Sequence, residues 1–451
     1  NTYGLALSTW DKKGDRDSLP VFEKAIALDP NFAMAYGALA TINHNLGESE
    51  LARQNATKAY KLKDHVTEAE REAIEARYYS YVKGDLEKAA EVYALAVQNY
   101  PESAGAYNHL ANEEGELGRY EQSVQSFRKG LQLDPSRAST YANLAVSLLA
   151  LNRAEEASGI LAEADKRGLQ TDSLLQAHYW VAFLLNDEKA AEQLARRSAD
   201  VPGAQAVVLS EQSNTAAYHG HFEKARELSH AAENLMEREG DKESAAKYLV
   251  QAGLRESEVG EFARAQAYIS QAQAMSHGRD VTTLAAMVLA QIGRVNQAEA
   301  LYRELDREWP EGTCVQKYWL PAIRAEIDLR QSRSAKAIDD LGVATPLELA
   351  NPGSTTVPTL YPAYVRAQAY LAMGDGARAA TELRKFTDDS GLVLNYPLGA
   401  LAHLGLARAY KSSGDLQNSS QAYQDFFTLW KDADPDIPIL KQAKAEYAKL
   451  Q

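Results

Sequence analysis

The stretch AGAYNHLANEEGELGRYEQSVQSFRKGLQLDPSR, residues 104–137, is echoed by the 34 residues on either side of it, and that echo constrains the fold more than any other feature. Tyr107, Leu110 and Ala111 fall on one side of a first helix, Gly118 opens a turn, and Ser123, Phe127 and Gly130 line a second helix that ends at Asp134-Pro135. The following copy places Tyr141, Leu144 and Ala145, then Asn152, then Ala157, Leu161 and Ala164 at the same positions. The preceding copy carries Gly84, Ala89, Tyr93, Ala96 and Pro101. One such hairpin cannot bury its own apolar face. Successive hairpins must therefore stack, each covering its neighbour.

A period of 34 with small residues at the helix crossing, a large one beside them and a closing proline resembles the tetratricopeptide repeat. The resemblance implies an all-α fold, a right-handed α-solenoid of about twelve helical hairpins with a C-terminal capping helix. Residues 1–170 hold the regular hairpins. Residues 171–344 hold irregular ones with some longer helices, since the turns at Gly220, Gly260 and Gly293 drift from strict spacing. A Pro-rich insertion at 345–362, TPLELANPGSTTVPTLYP, is expected to be non-helical. Residues 363–451 supply the last hairpins, turning at Gly374 and Gly414, and a closing helix from Ile437 to Leu450 capped by Asp436.

The balance of 48 Lys and Arg against 62 Asp and Glu gives a net charge of −14, which argues against a nucleic-acid partner because a phosphate backbone is gripped by clustered cations. No apolar run is long enough to span a bilayer. A single cysteine, Cys314, rules out an internal disulfide framework and a cysteine-based zinc site. The first residue is Asn and no signal peptide is visible, so a fragment or processed product is expected.

Signals for chemistry are absent: no phosphate-binding GxxxxGK[ST] loop, no GxSxG elbow, no HExxH and no kinase elements. The pair His219 and His221 at a turn lacks a third ligand. Asp432, Asp434 and Asp436 begin like a calcium loop, but Ile437 stands where the tight-turn glycine belongs and Ala443 where the bidentate Glu belongs. No catalytic residue, metal or cofactor is expected.

The recognition surface is expected on the concave face lined by first helices. Carrying one helical face through the repeats places Tyr78, Tyr81, Asn108, Asn112, Trp180, Phe183, Trp319, Tyr361, Tyr364 and Arg408 there. Aromatic rings supply buried area and amides bind a peptide backbone, so the expected partner is a protein or peptide segment. An aromatic residue at this spacing also packs against the next hairpin, and that structural role competes with the functional one. The chaperone carboxylate clamp of some tetratricopeptide domains is only half present. Asn112 and Asn143 resemble its amides, but Asn108, Ser139, Ser173 and Ala177 supply no cation.

LYPAYVRAQAYLAMGDGARAA, SGLVLNYPLGALAHLGLARAYKSSGD and YQDFFTLWKDADPDIPILKQAKAEYAKL resemble the C-terminal region of bacterial eukaryotic-like Ser/Thr protein kinases, as do the opening TWDKKGDRDSLPVFEKAIALDPNFAMAYGALA and the central RGLQTDSLLQAHYWVAFLLNDE. Related helical halves also follow winged-helix domains in regulators. The resemblance implies a sensory or docking half whose kinase domain lies upstream, outside the cytoplasm if a spanning helix intervenes and cytoplasmic otherwise. The alternative is a self-assembly element, a homo-oligomer forming through an end hairpin or the insertion.

Overall fold

In the computed structural model, which describes residues 2–351 and 359–450, helices follow one another in pairs and no strand occurs among the described residues. Twelve pairs run from Thr2–Lys13 with Asp15–Leu28 to Leu398–Ser412 with Leu416–Leu429, and the helix Pro438–Tyr447 closes the series. Each pair turns on one residue with positive φ: Gly14, Gly47, Gly84, Gly118, Gly220, Gly260, Gly293, Gly374 and Gly414, with Asn152, Asn186 and Ser332 in the other three. That conformation stops the first helix by letting the chain bond backwards. At Gly118 the amide of Gly118 donates to Gly115 O at 3.0 Å and that of Arg119 to Glu114 O at 2.7 Å. Aspartate then starts several second helices, as where Asp85, Asp375 and Asp415 accept from the amides of Lys88, Arg378 and Asn418.

Where paired helices cross, the side chains are small and fully buried, as with Ala89, Ala157, Ala265, Ala298 and Ala379. Serine at this position keeps its hydroxyl satisfied by donating to the first helix twelve residues earlier. Ser123 Oγ reaches Ala111 O, and Ser419 Oγ reaches Ala407 O, both at 2.8 Å. Large side chains such as Phe22, Phe127, Tyr141, Tyr423 and Phe426 fill the space between successive pairs.

The chain forms two compact bodies, one of residues up to Val208 with Trp309–Thr313, the other of Leu209–Glu308 with Cys314 onward. In the first, the opening hairpin returns against the fifth and sixth. Asp11 pairs with Arg137 at 3.5 Å, and a Cβ on Gly14 would lie 3.3 Å from the Thr171 methyl. In the second, the final hairpin and closing helix return to the seventh and eighth. Trp430 Nε1 donates to Tyr218 O at 2.9 Å, the Asp434 amide to Gly220 O at 3.1 Å, and the Ile439 amide to Val259 O at 3.2 Å. Each body therefore closes on itself.

Two local expectations are corrected. The insertion is narrower than 345–362: Leu341–Leu347 is a 3-10 helix that includes Pro346, and the helix Tyr361–Ala372 carries Pro362 in its first turn, where a missing N–H leaves no bond unmade. Residues 352–358, the middle of that segment and of the contact surface read there, lie outside the described residues. The closing helix starts at Pro438 with the apolar Ile437 at its N-cap, so it has no side-chain cap; Asp436, one residue earlier, accepts from Lys441 Nζ at 2.9 Å.

Candidate functional site

In the first body, the inner face of the first helices is bonded to itself. Arg77, on Glu68–Tyr78, sends Nε to Thr41 Oγ1 at 3.0 Å and Nη1 to Ala73 O at 3.1 Å, and its Nη2 lies 3.0 Å from His109 Nε2. Tyr81 reaches the same Thr41 and stacks on His44 at 4.5 Å, while Tyr93 stacks over His109. Buried in this cluster, the Glu113 carboxyl is pushed well above the usual range by desolvation and by Glu116, against a hydrogen bond from Ser80. Burial and the Arg77 charge push the His109 imidazole down.

The residues expected to meet a partner here are engaged within the chain. Asn108 is buried and accepts from Thr140 Oγ1 at 2.8 Å; Asn112 accepts from Asn143 Nδ2 at 2.9 Å. Tyr78 stacks on Tyr60 with ring centres 3.9 Å apart, and Trp180 is 3% exposed on the helix Asp172–Leu184, which also carries the half-buried Phe183.

The second body keeps a partly open cavity. A cavity of about 360 Å³ lies among first helices of the eighth to twelfth hairpins and the closing helix, with Glu258, Gln291, Glu326, Tyr364, Gln368 and Arg408 on its walls. That volume falls in the range of small-ligand and side-chain pockets. Two of its charged groups are paired inside the fold: Glu326 with Arg330 at 2.7 Å, and Arg408 with Glu446 of the closing helix at 2.9 Å. Of the expected residues, Tyr364 and Arg408 line this space. Tyr361 and Trp319 are buried behind it, their rings 5.8 Å apart.

Glu258 ends the helix Lys242–Glu258, whose residues are buried along nearly its whole length. The hydroxyls of Tyr361 and Tyr396 both donate to its Oε1, the latter at 3.2 Å, while Oε2 is buried with no partner. Desolvation pushes the carboxyl up to about 8, opposed by the two tyrosine bonds and by Arg255. The segments that deliver the tyrosines are strained. Leu360 (φ 68°) precedes Tyr361 and Leu394 (φ 54°) lies two residues before Tyr396, a backbone region that bulky residues rarely enter. Thr359 Oγ1 ties the segments together through Leu392 O at 3.1 Å, and Asn395 Nδ2 anchors the second to Glu211 O at 2.8 Å.

Glu258, Gln291, Glu326 and Gln368 were not among the residues read from the sequence. The signal for them is an amide or carboxylate near the turn end of a buried first helix, where a solvated role is not available. Among the described residues no three His, Cys, Asp or Glu side chains converge as metal ligands.

Tetratricopeptide-repeat profiles match residues 21–54, residues 116–177, and residues 250–313 with 364–433. The crystal structure of the yeast Tom70 aligns over 93% of this chain and 95% of that one, at 16% identity and a TM-score of 0.34. No curated relative matches. No helix among the described residues is long and apolar enough to cross a membrane. With three profiles of one repeat covering just over half of its length and a positive-φ turn in each of its twelve hairpins, the chain belongs to the tetratricopeptide-repeat family of protein-interaction scaffolds.

Proposed function

We propose that the chain is a non-catalytic peptide-binding module and that the cavity of the second body is where it receives its partner. The observation that carries this reading is the cavity itself: walls of first helices, amide- or hydroxyl-bearing side chains that include Gln291, Gln368, Gln442 and Tyr364, and charged groups held in place by internal pairs. Amides bind an extended backbone, and a wall already fixed by packing loses little entropy on binding.

The wider setting we propose is the docking or sensory half of a bacterial signalling protein of the Ser/Thr kinase type. What supports it is the resemblance of the eleventh and twelfth hairpins and closing helix, which line part of the cavity. Reading the coding region upstream of Asn1 tests it: a kinase domain there supports the setting, and its lack removes it.

The binding reading is tested by selecting from a random peptide library on the purified chain and titrating the recovered peptide. The expected result is a converging sequence whose affinity falls by about tenfold or more in Tyr364→Ala. Failure to converge, or unchanged affinity in the variant, removes the cavity as the binding site.

A further inference from the structure

The closing helix, Pro438–Tyr447, forms one wall of the cavity through Pro438, Ile439 and Gln442, and Glu446 lies one turn further along the same face. It is a thin wall. Its buried side chains are Leu440 and Ala443, while Lys441, Gln442, Lys444 and Ala445 are exposed. Glu446 holds Arg408: the guanidinium donates from Nε at 2.9 Å and from Nη2 at 3.1 Å, and the Tyr423 hydroxyl adds a third bond at 2.9 Å. Elsewhere on the lining the charges are met by the hairpins themselves. Glu326 pairs with Arg330 on its own helix, and Glu258 is buried with tyrosine hydroxyls on its Oε1. Arg408 is therefore the lining cation whose carboxylate comes from the closing helix.

The chain leading into that helix is fastened separately. Trp430 Nε1 donates to Tyr218 O, the Asp434 amide to Gly220 O, and Asp434 Oδ2 accepts from the Glu223 amide at 2.7 Å. Beyond this anchor the helix is held by the Arg408 pair, by the Ile439 amide on Val259 O, by Gln424 on the Tyr447 hydroxyl at 3.1 Å, and by the Tyr447 ring against Tyr423 and Phe427.

We infer that the closing helix is an internal stand-in for the partner: it swings out from the Asp434 anchor, and an amphipathic helical peptide takes its place, laying a side-chain carboxylate on Arg408 and apolar side chains where Pro438 and Ile439 stand. This rests on the peptide-binding reading above and adds to it the form of the peptide, a helix with a glutamate or aspartate two turns after its apolar anchor. With the closing helix away, Arg408 keeps its charge and loses its carboxylate, so an incoming carboxylate is favoured over a neutral group. The net charge of −14 opposes an acidic group at long range, but that repulsion is screened beyond roughly 10 Å at 0.1 M salt, and the two-pronged contact at Arg408 decides. Being tethered, the closing helix meets the site at an effective concentration on the order of millimolar, and a free peptide binds only as far as it displaces it.

The test uses the full chain and a fluorescent synthetic peptide of its own residues 437–450, IPILKQAKAEYAKL, titrated by anisotropy against the native chain and against Glu446→Gln. The expected result is that the peptide binds Glu446→Gln at least about fivefold more tightly than the native chain, and that a peptide with glutamine in place of its glutamate loses this advantage. Hydrogen exchange at residues 441–447 is expected to quicken in Glu446→Gln while that of residues 398–429 stays as in the native chain. If Glu446→Gln does not fold, Gln424→Ala, which removes an exposed donor to Tyr447, is expected to shift both readouts in the same direction. Equal affinity for the native and variant chains, no binding to either, or unchanged exchange at residues 441–447 overturns the inference. A library-selected peptide that binds the native chain and Glu446→Gln alike, and weakens in Tyr364→Ala, also overturns it while leaving the cavity as a peptide site.

Discussion

Arg77 Nη2 and His109 Nε2 lie 3.0 Å apart, joining the third and fourth hairpins on the inner face of the first body. A guanidinium has no acceptor and keeps its protons, so it must donate and the imidazole nitrogen must accept. His109 is therefore neutral, with its proton on Nδ1.

A pH dependence follows, since desolvation and the Arg77 charge hold His109 well below its ordinary value. In the window below about 6.5 the unfolded chain binds a proton that the folded chain refuses, so stability falls as the pH drops through that range. Calorimetric melting at pH 7.5 and 5.5 is expected to show a larger loss for the native chain than for His109→Gln, which accepts from Arg77 at either pH. Equal losses would contradict the neutral assignment.

Glu258 acts in the opposite sense. Its carboxyl titrates at about 8 in the fold, against an ordinary value near 4.5, so the folded state binds more protons between those limits. Stability contributed by its protonated form is present below about 4.5 and lost as the pH rises through 8. Glu258→Gln is expected to flatten that decline and to be more stable than the native chain at pH 8.5, by an amount on the order of a few kcal/mol. Parallel denaturation midpoints across the range would show that Glu258 ionises freely.

Ser332 occupies a hairpin turn at φ 59°, the position filled by glycine in nine other hairpins. A serine Cβ is crowded there, whereas asparagine, found at Asn152 and Asn186, tolerates the conformation better. Ser332→Gly is expected to raise stability by about 0.5–1 kcal/mol in urea titration. A fall would show that the Ser332 side chain stabilises its turn.

Two helical glycines separate packing from propensity. A Cβ on Gly376 would stand 2.1 Å from Ala409 O and 2.7 Å from Ser413 N, whereas one on Gly159 would meet nothing within 4 Å. Gly376→Ala is expected to cost roughly 2–3 kcal/mol by forcing the eleventh and twelfth hairpins apart. Gly159→Ala should gain about 0.5–1 kcal/mol. Similar effects at both sites would contradict the close approach at Gly376.

The hairpins were legible because their determinants are local: a turn residue able to adopt positive φ, a small residue at the crossing and an apolar face repeat within 34 residues. Gly118 and Asn152 are plain in the sequence. Ser332 is not, since nothing about serine marks it for that conformation. The closure of each body was illegible because it depends on a small rotation accumulated from hairpin to hairpin, which no single repeat encodes. Tyr81, Asn108 and Asn112 were placed on the inner face by periodicity, but only the closed body shows them bonded to their neighbours. Glu258 looks in sequence like any solvated helix acid. Its environment comes from Tyr361 and Tyr396, 103 and 138 residues further along the chain.

Filling the cavity of the second body shows whether it receives a peptide. Gln368→Trp places a large ring on the cavity wall at a half-buried position, where the fold has room for it. A peptide selected on the native chain is expected to bind this variant at least about tenfold more weakly while the melting midpoint is unchanged. Undiminished affinity in a folded Gln368→Trp chain would contradict it.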